Sequence, residues 1–317
     1  MLAAQYTAPR AVSLVQTPDP ECPPEGLLLR VETLGICGSD LHFCHDVATA
    51  EYPCGPGFSG HECVAIVEEG RGLPVGTRVL ALAPDYNAFA EGLSATGDSV
   101  IRVPEHLSSE RAVLAQPLGT VIYCCRKLPN ILDRHVVVVG QGPAGLFFTM
   151  LLSRMGARSL TGVDTEPHRL TLARQLGATC VVNPDVTDCE AAVREHTRGD
   201  MADVIVEAVG KAETLNLCTS LVRKEGDIAL FGVPKTHVLP VDVEALLRRN
   251  VRLTTSVFAQ REPGLHSFRL ALQMIADGRI DPMPLVSHRL GFAEIAQGFE
   301  LAHTRSDGTI KVLLRCG

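Results

Sequence analysis

The chain has 317 residues, of which 46% are hydrophobic, and its formal net charge at pH 7 is −7. This length suits two domains better than one, and the hydrophobic content supports well-buried cores. An acidic balance without a long run of Lys or Arg argues against nucleic acid or an anionic membrane as a partner, so a small-molecule ligand is expected.

The N-terminal residues lack both a basic segment followed by an apolar core and a twin-arginine signal. The most apolar stretch, residues 136–155, is interrupted by several glycines, Pro143 and Arg154, which is atypical of a membrane span. The 11 cysteines are irregularly spaced, a pattern that indicates free thiols or metal ligands more than a disulfide framework. We therefore expect a cytoplasmic protein.

Residues 1 to about 115 have the pattern of short strands separated by loops rich in Pro and Gly. Strands are predicted at residues 11–15, 27–33, 63–67, 75–80 and 99–104. Strands of this length, broken by such loops, predict a small β-barrel or sandwich.

The pattern changes to helix from residue 107, and from residue 136 strands and helices alternate. Strands are predicted at residues 136–139, 161–163, 179–182, 204–207 and 228–231. Regular alternation predicts an α/β domain with a doubly wound parallel sheet. In the tail, helices are predicted at 264–277 and 292–304 and a strand at 309–314. The tail is expected to return to the first domain. The predicted domains are therefore 1–120 together with 256–317, and 121–255. The apolar spacing of residues 243–247 is interpreted as packing.

A glycine-rich turn follows the four-valine strand at residues 136–139. Its residues are Gly140, Gln141, Gly142, Pro143, Ala144 and Gly145. This spacing allows a tight turn, a close approach of the backbone to a pyrophosphate, and free N–H groups at a helix start. Asp164 ends the next predicted strand, nineteen residues after Gly145, where a carboxylate that binds ribose is expected. Such a carboxylate repels a 2′-phosphate and favours NAD over NADP, although a solvated loop Asp and a methyltransferase-type turn are alternatives.

Cys37, His61 and Glu62 are candidate metal ligands in the first domain. Thiolate, imidazole and carboxylate together suit Zn²⁺, and three ligands with one open position are typical of a catalytic site. Each residue also has a structural alternative, since a free Cys is commonly a small buried hydrophobic residue. The spacing alone leaves both interpretations open.

Four motifs occur together in order. They are Gly35-Ile-Cys-Gly-Ser-Asp-Leu-His42, Gly60-His-Glu62, the glycine turn Gly140–Gly145, and Gly162-Val-Asp164. In these motifs and their distances the chain resembles the zinc-dependent medium-chain dehydrogenases, the family of alcohol and sorbitol dehydrogenases. The resemblance covers essentially the whole chain, and it implies a mostly β, GroES-like catalytic domain joined to a Rossmann dinucleotide-binding domain.

The resemblance implies that Cys37 and His61 bind one catalytic zinc ion, with Glu62 as a direct or intermittent ligand. Asp40 would orient His61 and raise its basicity. The family's remaining ligand is a Cys, Asp or Glu, but here Gln116 occupies the place. A neutral amide leaves more positive charge on the site and should weaken metal affinity, so we expect a chelator to remove zinc more readily than from a Gln116→Glu variant.

The resemblance also implies a proton path, in which Ser39 hydrogen-bonds the substrate oxygen and passes its proton through the cofactor ribose to His42. The unperturbed pKa of His, about 6.5, suits this role, although an exposed loop histidine is the alternative. Besides the turn and Asp164, the expected cofactor contacts are Arg169, Val209, Phe231, Gly232 and Val233. Phe231 is as readily explained as a core aromatic residue.

Much of the family carries a lobe with four cysteines that binds a second, structural zinc ion. This chain lacks the four cysteines, so one zinc ion per chain is expected. Here no cysteine lies between Cys63 and Cys124. Val79 also reaches Phe89 in ten residues, too few for the lobe, so the segment that would carry it is expected to be deleted.

The activity expected from these features is zinc- and NAD-dependent oxidation of a secondary alcohol, polyol or sugar-like substrate to the ketone, or the reverse. The alternatives are a zinc-free quinone or enoyl reductase of the same superfamily and a non-catalytic dinucleotide-binding protein. The substrate pocket is expected to involve residues 43–52, Asn87 and residues near Phe258. The resemblance also implies a homodimer or homotetramer.

Overall fold

The computed structural model describes residues 1–42, 51–83 and 85–317, and these fall into two compact units. The first unit comprises Met1–Thr120 and Ala259–Gly317, and the second comprises Val121–Phe258. Most of the predicted pocket loop, residues 43–50, lies outside the described residues. In the part of the chain that is described, no helix has the length and apolar character needed to cross a membrane.

The first unit is built mainly on β-structure. Its strands are β1 (Leu2–Ala8), β2 (Ala11–Gln16), β3 (Gly26–Gly35), β4 (Glu62–Gly70), β5 (Arg78–Ala81), β6 (Gly92–Thr96), β7 (Val100–Arg102), β14 (Val286–Gly291) and β15 (Lys311–Arg315). The main sheet has the order β14-β15-β3-β4-β5-β7, β6 pairs with β3, and β1 pairs with β2. Phe89 and Phe299 pack edge to face in its core, with ring centroids 5.4 Å apart.

The register of the main sheet brings distant parts of the sequence to one end of the strands. β3 and β4 are antiparallel, with Gly35 opposite Glu62. β15 also runs antiparallel to β3, and Ile36 donates its N–H to the carbonyl of Val312. Residues that follow β3, precede β4 and begin β15 therefore meet at the same place.

The helices that belong wholly or partly to the first unit are short. They are α1 (Gly38–Asp40), α2 (Ser109–Val113), α3 (Ala115–Cys125), α9 (His266–Ala276) and α10 (Ile295–Thr304). Ser108 caps α2 by accepting a hydrogen bond from the backbone N–H of Arg111. α3 crosses from the first unit to the second at residue 120.

The second unit is a six-stranded parallel sheet with intervening helices. Its elements are β8 (His135–Val139), α4 (Pro143–Leu152), β9 (Ser159–Val163), α5 (Pro167–Gln175), β10 (Cys180–Val182), α6 (Cys189–His196), β11 (Ala202–Glu207), α7 (Ala212–Leu221), β12 (Val222–Leu230), α8 (Val243–Arg249) and β13 (Arg252–Thr255). The order β10-β9-β8-β11-β12-β13, with every neighbouring pair parallel, is that of a doubly wound dinucleotide-binding sheet. The predicted fold class is confirmed.

The structure differs from the sequence prediction at several elements, since β6, β13 and β14 were not predicted as strands. β13 was not predicted, because an edge strand with mostly exposed side chains lacks an apolar pattern. The interpretation of residues 243–247 as packing is wrong for Val243 and Leu247, whose side chains are 59% and 75% exposed; only Leu246 packs against the core.

Candidate functional site

Cys37, His61 and Glu62 come together where β3 ends and β4 begins. One ligand atom from each residue, a sulfur, a ring nitrogen and a carboxylate oxygen, lies within 4.8 Å of the others. His61 and Glu62 are buried, and Cys37 is half-buried. Gly35 has to be a glycine here, since a Cβ on it would lie 2.2 Å from Glu62 Oε2.

Asp40 orients the imidazole of His61 through the ring nitrogen Nδ1. Its carboxylate is fully buried, accepts hydrogen bonds from Cys37 N at 2.7 Å and Ser59 Oγ at 2.8 Å, and lies 3.3 Å from His61 Nδ1. The Ser59 carbonyl lies 2.9 Å from the same ring nitrogen. Because Nδ1 is occupied in this way, Nε2 is the ring atom that can bind a metal.

Burial and the contacts with Asp40 and Cys37 act in opposite directions on the pKa of His61. Burial by itself lowers the pKa of His61, but the neighbouring Asp40 carboxylate outweighs it and, with Cys37, raises the pKa well above the usual 6.5. A metal ion must therefore displace a firmly held proton, so metal binding at this site is expected to release protons.

Lys311 is a buried cation beside the same three residues. Its Nζ donates to Glu62 Oε1 at 2.6 Å and to the Ile36 carbonyl at 2.9 Å, and both members of the pair are almost fully buried. Burial favours the neutral amine, but the interactions with Glu62, Cys37 and Asp40 together outweigh it and raise the pKa of Lys311. Glu62 Oε2 lies 2.6 Å from the same ammonium nitrogen, so both carboxylate oxygens are in contact with Lys311.

These residues fit a zinc ion. The donor set combines one sulfur, one nitrogen and one oxygen, and the imidazole is oriented by a carboxylate. Three protein ligands leave one position for a fourth ligand or a substrate oxygen. It is the only such cluster of His, Cys, Asp and Glu within residues 1–42, 51–83 and 85–317.

Three further residues predicted for this site, Ser39, His42 and Gln116, lie in different surroundings. Ser39 Oγ lies 3.4 Å from His61 Nε2, next to the expected metal position. His42 is half-buried two residues after α1. Gln116 is buried in the first turn of α3. The roles of His42 as a proton acceptor and Gln116 as a ligand stay predictions.

In the second unit, each glycine of the predicted turn has a different surrounding. Gly140 has a positive φ of 92°, and a Cβ on Gly145 would lie 1.8 Å from the Gly140 carbonyl oxygen. A Cβ on Gly142, which caps the start of α4, would meet only Arg169 Nη1 at 3.6 Å. The conformation of the turn therefore requires glycine at positions 140 and 145. Glycine at position 142 instead leaves open space in front of the N-terminus of α4, and a bound phosphate needs such space.

Asp164 lies beside this turn. Its carboxylate accepts hydrogen bonds from Gln141 N at 2.6 Å and from Glu166 N at 2.9 Å, which places it between the turn and the start of α5. Buried Arg169, on α5, points its guanidinium toward Gly142. The solvated-loop interpretation of Asp164 is therefore a poor description, because the carboxylate is hydrogen-bonded to the turn itself.

Val209, Phe231, Gly232 and Val233 lie beyond the carboxyl ends of β11 and β12. The buried Glu207 carboxylate accepts hydrogen bonds from Val209 N and Gly210 N at 3.0 and 2.9 Å. Phe231 packs edge-on against Phe148 of α4, with ring centroids 4.9 Å apart. Phe231 thus has the packing role of the alternative interpretation, at the position where ligands of doubly wound sheets bind.

Sequence reasoning missed the supporting residues Lys311, Ser59 and Tyr6, whose hydroxyl lies 3.3 Å from Ser59 Oγ. A lysine inside the apolar segment 310–314 was a usable signal, because a charge in a buried strand needs a partner. Ser59 and Tyr6 gave no comparable signal. The site also has an unpredicted neighbour in Tyr86, whose ring lies 5.6 Å from that of His61.

Two family models match the chain. The model described as alcohol dehydrogenase GroES-like domain matches residues 23–105, and the one described as zinc-binding dehydrogenase matches residues 143–277. Together they cover about two thirds of the chain, and the first contains Cys37, His61 and Glu62.

Similar proteins of known activity cover nearly the full length. A sorbitol dehydrogenase from Arabidopsis thaliana is 27% identical over 93% of this chain and 89% of its own length. A D-arabitol-phosphate dehydrogenase from Enterococcus avium is 27% identical over 89% of this chain and 90% of its own length. Among solved structures, alcohol dehydrogenase TADH from Thermus sp. ATN1 has a TM-score of 0.86 and 27% identity, and all of both chains is covered.

Proposed function

The chain belongs to the zinc-type medium-chain dehydrogenases, a family of oxidoreductases with Zn²⁺ and NAD(P) as cofactors, and on this basis we propose that it oxidises a secondary alcohol, polyol or sugar-like substrate to the ketone. The observation that carries the proposal is the convergence of Cys37, His61 and Glu62. A zinc-free quinone or enoyl reductase has no need of this donor set, so that alternative is disfavoured.

A zinc ion held by Cys37, His61 and Glu62 would supply Lewis-acid polarisation of the substrate oxygen, and a nicotinamide cofactor would supply the hydride acceptor or donor. The protein's own residues prepare this chemistry. Asp40 holds His61 with Nε2 directed to the site, and Lys311 balances the charge of Glu62. Ser39, 3.4 Å from His61 Nε2, is positioned to hydrogen-bond the substrate hydroxyl, and we assign His42 as the group that receives its proton.

We further propose NAD as the preferred cofactor. The Asp164 carboxylate lies at the glycine turn, where a ribose hydroxyl can donate to it and a 2′-phosphate is repelled. Arg169, next to Gly142, is suited to the cofactor phosphates.

The cellular setting and assembly are proposals of the same kind. Every cysteine in the described part of the chain is a free thiol, which fits the reducing cytoplasm. The resemblance to the family supports a homodimer or a homotetramer.

The test is a screen of the purified protein against polyols, amino-cyclitols and secondary alcohols, with NAD⁺ reduction followed at 340 nm and bound zinc measured in parallel. We expect about one zinc ion per chain and turnover with at least one substrate class. Zinc-free protein that still reduces a quinone or enone would contradict the proposal, as would zinc-loaded protein inactive with every alcohol and carbonyl tested.

A further inference from the structure

Tyr86 is an aromatic side chain at the edge of the metal-ligand cluster that the family resemblance does not explain. Its ring centroid lies 5.6 Å from that of His61, with an angle of 62° between the ring planes. Tyr86 is half-buried, on the short connection between β5 and β6. This connection is the one from which the four-cysteine lobe is missing.

The backbone holds Tyr86 in an uncommon conformation. Its φ is +52°, in the left-handed region that aromatic residues rarely occupy, and its N–H donates to the Ala83 carbonyl at 2.9 Å. Such a conformation persists only where the surroundings impose it, and it is found preferentially at functional sites. The side chain is thus directed to His61 by a specific turn.

The hydroxyl of Tyr86 is oriented by Gln260, which belongs to a short helical segment, Ala259–Arg261, of the same compact unit. Gln260 Nε2 donates to Tyr86 Oη. Because the amide uses a lone pair of the phenol oxygen, the phenol O–H remains available as a donor. Among the described residues, no acceptor is bonded to that O–H and no donor to Gln260 Oε1.

We propose that Tyr86 and Gln260 together recognise a second hydroxyl of the substrate, and that the enzyme therefore selects diols and polyols over mono-alcohols. A hydroxyl group both donates and accepts, so it can accept from the Tyr86 O–H and donate to Gln260 Oε1. The ring of Tyr86 lies against the ring of His61, so the polar pair is one side chain away from the metal-ligand cluster. The inference rests on the proposed alcohol oxidation and deepens it by naming the substrate class.

The physical basis of selection is the cost of an unpaired polar group. A site built to hydrogen-bond a substrate hydroxyl discriminates strongly against an analogue that lacks it, because the site's donor and acceptor then lose their water without a replacement. An apolar wall at the same place would discriminate only weakly.

The test compares the holoenzyme with the variants Tyr86→Phe and Gln260→Leu. Substrates are matched in carbon skeleton: 2,3-butanediol with 2-butanol, and xylitol with 3-pentanol. The measured quantity is the ratio of kcat/KM for the hydroxylated substrate to that for the mono-alcohol, with bound zinc determined for each protein. Tyr86→Phe keeps the ring beside His61 and removes only the hydroxyl. Tyr123→Phe, on α3, is the matched control.

We expect each of the two site variants to lower this ratio by about 10- to 100-fold, as the loss of one or two hydrogen bonds predicts, and the control to retain it. A ratio that stays constant, or wild-type enzyme that shows no preference for the hydroxylated member of either pair, overturns the inference and leaves the proposed function standing. Wild-type holoenzyme inactive with all four substrates and with the wider alcohol panel overturns both.

Discussion

The two candidate binding regions of this molecule are encoded in different ways. The glycine turn of the second unit is contiguous in sequence: β8, the turn and α4 follow one another within residues 135–152. The metal-ligand cluster of the first unit, Cys37, His61 and Glu62, meets the neighbouring Lys311 only because β3, β4 and β15 pair in one register.

The difference determines how each region responds to substitution. The shape of the turn depends on backbone conformation and on the absence of Cβ atoms, so the sensitive positions are glycines. In the cluster, side-chain charges are brought together in a buried place, so the sensitive positions are ionisable residues and their partners. If the two regions have separate tasks, a substitution in one should spare the property that the other provides.

The largest effect on activity is expected from Cys37→Ser. Loss of the thiolate removes a zinc ligand, and alcohol oxidation should fall by about 10³-fold or more, since a Lewis-acid metal contributes several kcal/mol to the barrier reduction. NAD affinity, measured by calorimetry, should be retained. The control is Cys22→Ser, whose thiol donates to the backbone carbonyls of Pro23 and Gly26. Equal activity of the two variants would remove Cys37 from the site.

Lys311→Met should have the largest effect on stability. Removal of the cation leaves the Glu62 carboxylate buried and uncompensated, which costs about 3–5 kcal/mol in the free energy of unfolding of zinc-free protein. Denaturant unfolding measures this cost. The double variant Lys311→Met/Glu62→Gln should recover most of it, because no unpaired charge then remains. No recovery would show that the lysine acts through packing instead.

The converse experiment on the turn is Gly142→Ala. The added methyl group meets only Arg169 at 3.6 Å, so the protein should fold normally, but it should bind NAD about tenfold more weakly because the methyl occupies space needed by the phosphates. Bound zinc should be unchanged. Gly97→Ala, with nothing within 4 Å of the added atom, serves as control. Undiminished NAD affinity in the Gly142 variant would argue against the turn as the phosphate site.

A smaller effect, a several-fold slowing of zinc loss, is expected from Gln116→Glu. The carboxylate is a stronger donor than the amide, so the variant should release zinc to a chelator more slowly than the wild-type protein. The release is followed with a coloured zinc indicator. If the variant loses zinc at the same or a faster rate, Gln116 is not near the metal.

The sequence was most informative where the signal was local. The glycine turn, Asp164 and the parallel sheet could be predicted, since periodicity and turn chemistry act over a few residues. Residue chemistry made Cys37, His61 and Glu62 candidate ligands but left a structural alternative open, and only the resemblance favoured the metal, because their spacing is uninformative until the strand register is known. The roles of Lys311 and Tyr86 depend on that register and on one turn, and no pattern predicted either contact with the cluster.

Zinc reconstitution of the chelator-treated protein tests the central claim most directly. Apo-protein is titrated with Zn²⁺ at fixed NAD⁺ and polyol, and turnover is measured at each step. We predict that activity rises linearly and reaches its plateau at about one equivalent per chain, as expected for a single catalytic site. Full activity without zinc, or a Cys37→Ser variant that regains activity to the same extent, would contradict the account.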